Sequence, residues 1–155
     1  MNKFVQSGRV KTVQSSVLNP VNSGLKLIVN LCSQTGKFEQ ELDKALTKKW
    51  ARVREDYKTT YATQTNCKLG SLVDSSVSSD TWVMNMIVRN KEDVLDEAGL
   101  TLAVKNLAKL AKYEKASVHV SAKLFTEVPK FKELIDTLVV AEGIHLYVYD
   151  ETAAK

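Results

Sequence analysis

The chain of 155 residues holds only two cysteines, two histidines, two prolines and six glycines, and each scarcity removes a class of explanation. Cys32 and Cys67 are far apart and outside any C-x-x-C or Cys/His cluster, so neither a zinc site nor a redox motif is indicated, and reduced structural thiols are expected. Pro20 and Pro129 stand alone. Without a Pro/Gly-rich linker, an internal repeat or a low-complexity tract, nothing divides the chain, and one continuous domain over 1–155 is expected. No stretch approaches the roughly 18 consecutive apolar residues that a membrane span requires, and the polar N-terminus lacks a signal-peptide apolar region. A cytoplasmic protein, neither secreted nor membrane-bound, is the expectation. The sequence contains no recognisable catalytic triad, metal-ligand set, P-loop or dinucleotide fingerprint, so no catalytic residue, metal or cofactor is assigned.

What is present is enough apolar material, 44% of the residues, to build a real core. The net charge of +4 and pI near 9.0 favour a mild, non-specific attraction to phosphates. Segment 4–18 is polar with scattered valines and reads as one or two strands forming a hairpin or a sheet edge, closed by the turn cluster Asn19-Pro20-Val21-Asn22-Ser23-Gly24. The apolar run 25–31 reads as a central strand. From residue 37, Phe38, Leu42, Leu46, Trp50, Val53 and Tyr57 recur at helical spacing and predict one long helix, whose other faces, Asp43 included, carry solvated charge. Segment 66–79 reads as a loop with a short strand near 69–73, and 81–89 as a second buried strand.

A helix beginning near 93 or 100 and ending at 115 buries Leu100, Val104, Leu107, Leu110 and Ala111. Residues 116–122 alternate as a strand. Thr126 is a candidate cap for the next helix, with Pro129 in its first turn and Phe131, Leu134, Ile135, Leu138 and Val139 facing inward. The last strand, 144–150, puts Ile144, Leu146 and Val148 on one face and His145, Tyr147 and Tyr149 on the other. Strands alternating with helices predict an α/β architecture, with helices on both faces of a mostly parallel sheet.

Few side chains stand out as chemistry. His119 and His145 sit in strands beside apolar neighbours, which favours structural histidines over proton carriers. Lys44, Lys48 and Arg52, and separately Lys105, Lys109 and Lys112, fall at three-to-four spacing and form two basic helical stripes. Such stripes could follow RNA or DNA phosphates, with Trp82, Tyr147 or Tyr149 as stacking surfaces, although solvated helix faces explain them as well.

The segments Leu27-Ile28-Val29-Asn30, Trp82-Val83-Met84-Asn85-Met86-Ile87, Ser117-Val118-His119-Val120 and Tyr147-Val148-Tyr149-Asp150 occur in an order and spacing that resembles the macrodomain family over most of the chain. The resemblance implies a three-layer α/β/α sandwich around a mixed, mostly parallel sheet, and a site for ADP-ribose. It also shows departures. Where the family has an adenine-recognising Asp, this chain reads Gln14-Ser15-Ser16-Val17-Leu18, and Ser16 brings no carboxylate. After the first central strand it offers Asn30, Gln34 and Gly36. The later phosphate loop, glycine-rich in the family, is replaced by 121–128, which has no glycine and would bind a phosphate through Lys123, with Phe125 a further candidate ligand contact.

A kept frame with altered loops favours a non-catalytic binding module whose surface serves a protein or nucleic-acid partner, as in an accessory factor of a virus or phage. The alternative is an ADP-ribose-binding protein, or a hydrolase or phosphatase of the macrodomain type that uses Asn30 and a loop residue to position water. Under that alternative, replacing Asn30 by Ala is expected to weaken ligand binding and leave the thermal transition nearly unchanged.

Overall fold

A computed structural model describes residues 7–151. The expected start of the first strand at residue 4 lies outside that range. Six strands form one sheet in the order β1-β6-β5-β2-β4-β3: β1 (Val10–Val13), β2 (Lys26–Ser33), β3 (Leu72–Ser78), β4 (Thr81–Arg89), β5 (Ser117–Ser121) and β6 (Leu146–Tyr149). All neighbours pair in parallel except β3, which runs antiparallel to β4. β1 is an edge strand beside β6 rather than half of a hairpin.

β2 is buried along its whole length, and successive residues feed opposite layers of core. Leu27, Val29 and Leu31 join Met84, Met86, Val118 and Leu146 under α3 (Glu97–Glu114) and α5 (Pro129–Leu138). Ile28 and Cys32 join Val83, Ile87 and Tyr149 under α1 (Glu41–Lys49) and α2 (Ala51–Thr63). The result is a mixed, mostly parallel sheet between two helical layers. The two faces expected of the last strand are observed, with Leu146 and Val148 in one core and Tyr147 and Tyr149 in the other.

Several boundaries differ from the sequence expectation. The long helix is two helices, because Trp50 adopts an extended conformation (φ −137°, ψ 95°) between them. Leu46, Val53 and Tyr57 stay buried on the same side, so a periodicity count does not register one extended residue. The strand expected at 69–73 lies at β3, since its backbone is recruited by β4 in a hairpin rather than by its own apolar content. Segment 121–128 is mostly helix α4 (Ala122–Glu127). Thr126 lies inside it, and Val128 is the N-cap of α5, with Pro129 in the first turn as expected. Asp43, expected on a solvated face, is 1% exposed.

Candidate functional site

The chain leaves β2 for β4 on one side and returns from β4 to β5 on the other, so β2 and β5 flank a point where the winding reverses. Beyond the carboxyl ends of strands at such a point, loops diverge and leave a crevice. A cleft of about 790 Å3 lies there. Asn30, Leu31 and Arg89 line it at the ends of β2 and β4, α1 contributes Glu41, Leu42 and Ala45, and α4 contributes Lys123, Leu124 and Thr126. Tyr149, Asp150 and Glu151 border it from β6.

Asn30 and Asn85 are direct partners across β2 and β4, on the face covered by α1. The Asn30 Nδ2 donates to Asp43 Oδ1 at 2.7 Å and to Asn85 Oδ1 at 3.0 Å. The other Asp43 oxygen accepts the Gln40 backbone N–H at 2.9 Å, which caps α1. Burial pushes the Asp43 carboxyl above its ordinary range, and the hydrogen bonds from Asn30 and Gln40 offset part of that rise. Asn85 Nδ2 is buried and has no hydrogen-bond partner. These three side chains pin the end of β2 to the first turn of α1, so the wall of the cleft is tied to its floor.

At the rim, Lys123 of α4 forms an ion pair with Glu41 of α1. Both side chains are largely exposed, and the carboxylate raises the Lys123 ammonium pKa. Arg89 is the more sheltered cation, with 19% of its side chain exposed. A buried chain runs below the Tyr149 edge: His119 lies 2.7 Å from both Ser117 Oγ and Tyr149 Oη, and Tyr149 Oη accepts the Val21 N–H at 2.9 Å. Burial, helped by the Lys26 ammonium, pushes the His119 pKa down to about 3 and keeps the ring neutral. His145 is exposed, and its Nδ1 accepts the Arg9 N–H.

Of the residues singled out from sequence, Asn30 and Lys123 meet in this cleft. Phe125 does not: it packs against Phe131 with ring centroids 5.3 Å apart, inside the core under α4 and α5. Gln34 lines a separate hollow of about 430 Å3 with Lys37, Tyr61 and Lys91. Gly36 is buried beneath Tyr61, and its φ of +84° serves that packing. The Lys44, Lys48 and Arg52 stripe lies on α1 and α2, whereas Lys105, Lys109 and Lys112 lie on α3, on the opposite side of the sheet. Arg52 is engaged with Asp56 and the Ser76 carbonyl, and Lys112 with Glu142. Tyr149 is fully buried and Trp82 and Tyr147 are half-buried, so none is a freely exposed stacking ring. Ser16 accepts the Leu18 N–H in a local turn.

Sequence reasoning missed Arg89, Glu41 and Asp43 as site residues. Arg89 did carry a signal: a cation closing a buried central strand.

The sheet order, its antiparallel edge strand and the cleft at the reversal point define a macrodomain fold, divergent in sequence. A macrodomain protein from Streptomyces coelicolor is similar over 92% of this chain and 99% of that one, with a TM-score of 0.85 at 22% identity. The macrodomain of Thermus aquaticus DarG is similar over 92% of this chain and 99% of its own, with a TM-score of 0.68 at 13% identity. Thermosipho africanus DarTG, determined in complex with ADP-ribose, matches 80% of this chain and 38% of its own, with a TM-score of 0.59 at 12% identity. No protein-family model matches the sequence, and no curated protein matches it.

Proposed function

We propose that this protein binds ADP-ribose, free or as an ADP-ribosyl group, in the cleft between α1 and α4. The observation that carries the reading is the cleft itself: about 790 Å3 at the carboxyl ends of β2 and β5, where an open α/β sheet accepts ligands. The DarTG structure with ADP-ribose has a related fold and supports that ligand class. The lining mixes apolar surface from Leu31, Leu42 and Leu124 with polar groups from Asn30, Arg89 and Thr126, as a nucleotide with an apolar base and charged phosphates requires. The phosphate-facing chemistry differs from a glycine loop, because α4 occupies that segment.

A second reading keeps the fold as a non-catalytic module for a protein or nucleic-acid partner. The Lys123–Glu41 pair across the rim favours it, since a free ligand entering there competes with that contact.

Calorimetric titration with ADP-ribose at low and physiological salt tests the choice. Saturable one-to-one binding at both salts is the expected result, and hydrolysis assays on ADP-ribosylated substrates then ask whether turnover accompanies binding. Absence of heat up to millimolar ligand rejects the ADP-ribose reading and leaves the partner module.

A further inference from the structure

Arg89 is held as a ligand-binding cation would be. Its backbone carbonyl accepts the Gln34 N–H at 2.9 Å, and a β-bridge to Leu95 secures its other side. The β2–β4 register slips at this point, so that Ser33 faces Arg89 rather than Val88, and a bulge of this kind re-aims the side chain at a strand end. The guanidinium donates Nε–H to Asp93 Oδ1 at 2.7 Å and Nη1–H to the Leu31 carbonyl at 3.2 Å. Asp93 is presented by a turn in which it takes a left-handed conformation, φ +62°. That turn is braced by Asn90, whose Oδ1 accepts the Glu92 and Val94 N–H groups.

Two guanidinium N–H groups are thereby engaged, and the rest of the planar fork is left for the cleft. The other cation in the lining, Lys123, is paired with Glu41 at the exposed rim. Asp150 and Glu151 border the cleft at the end of β6, three strand positions from β4, or roughly 14 Å at ordinary strand spacing, whereas Arg89, paired with Asp93, stands at the β4 end.

We infer that Arg89 takes a phosphate of the bound nucleotide, which orients the ligand with its phosphates toward β2 and β4 and its nucleoside toward β5 and β6. This rests on the ADP-ribose reading and adds a residue and a direction to it. Arg89 supplies by a fixed, charged fork what a glycine loop supplies by backbone N–H groups: preorganised donors that need no rearrangement on binding.

The test is titration of wild type and Arg89→Gln with ADP-ribose at about 50 and 300 mM salt, a range over which exposed charge interactions weaken. The variant is expected to bind about 10–100-fold more weakly at low salt, the scale of a lost charged hydrogen bond, and to show a flatter salt dependence. Unchanged affinity overturns the inference, as does a loss with the wild-type salt dependence intact, which marks a merely structural residue. Should Arg89→Gln fail to fold, Arg89→Lys decides: it keeps the charge, so retained salt dependence with a smaller loss supports the assignment, and a flattened one overturns it. Wild type that does not bind ADP-ribose removes the underlying reading and the inference together, an outcome separate from a binding protein indifferent to Arg89.

Discussion

Asn30 is both a cleft residue and a structural one, and its two roles cannot be separated by truncation. Replacing it with Ala leaves the Asp43 carboxyl short of one donor and Asn85 without its hydrogen bond, in a region where water has little access. The expected cost is about 1–3 kcal/mol, read as a lower midpoint in urea unfolding. The near-unchanged thermal transition expected from sequence does not fit this geometry, and observing it would mean that solvent replaces the lost amide. His119 carries the pH dependence. The unfolded ring binds a proton near pH 6.5, while the folded ring stays neutral until about pH 3. Its contribution to stability is therefore full above pH 6.5 and is lost as pH falls from there toward 3. Between pH 7 and 5 the loss amounts to about 2 kcal/mol, and His119→Gln should show a correspondingly shallower decline in unfolding free energy. Parallel declines in the two proteins would relocate the titrating group.

At the level of elements, the turn from β2 into α1 is shaped by packing. Gly36 N–H donates to Tyr57 Oη at 3.1 Å, Tyr57 Oη donates to the Ser33 carbonyl at 2.6 Å, and a Cβ on Gly36 would stand 2.6 Å from the Tyr61 ring. Gly36→Ala should destabilise by about 1–2 kcal/mol from the left-handed backbone alone, with the ring clash added unless Tyr61 swings outward. Equilibrium unfolding with Tyr61→Ala as a second background separates the terms: the clash disappears there, and the backbone cost stays. Gly36, a candidate ligand-binding residue by sequence, lets α2 close on β2. The replacement of the expected 121–128 loop by α4 has a similar cause. Leu124 and Phe125 are buried against the core shared with α5, so their contacts hold a short helix where spacing alone suggested a loop.

For the whole molecule, ligand binding and stability are linked. If ADP-ribose fills the cleft, it bridges α1 and α4, which belong to different helical layers, and stabilises the folded state by about 2.7 kcal/mol at a ligand concentration of 100 Kd. The thermal midpoint should then rise with ADP-ribose in step with the calorimetric affinity; a titration that gives heat with no thermal shift would mean that the ligand binds the unfolded chain as well as the folded one. Among the described residues, no helix is long and apolar enough to cross a membrane. The sequence by itself determined the layered α/β plan, because apolar runs such as 25–31 and 81–89 are buried on both faces and the helical stripes are periodic. Both are local properties that survive in one dimension. It also showed which family the frame resembles and which loops depart from it. Only the tertiary structure decided that Asp43 is buried under β2, that Phe125 belongs to the core, that the two basic stripes lie on opposite sides of the sheet, and that Arg89 reaches the cleft. Each of these depends on pairing across distant positions, such as Asn30 with Asn85 or Leu31 with Arg89, and a strand order that places β2 between β4 and β5 is not written in any local pattern.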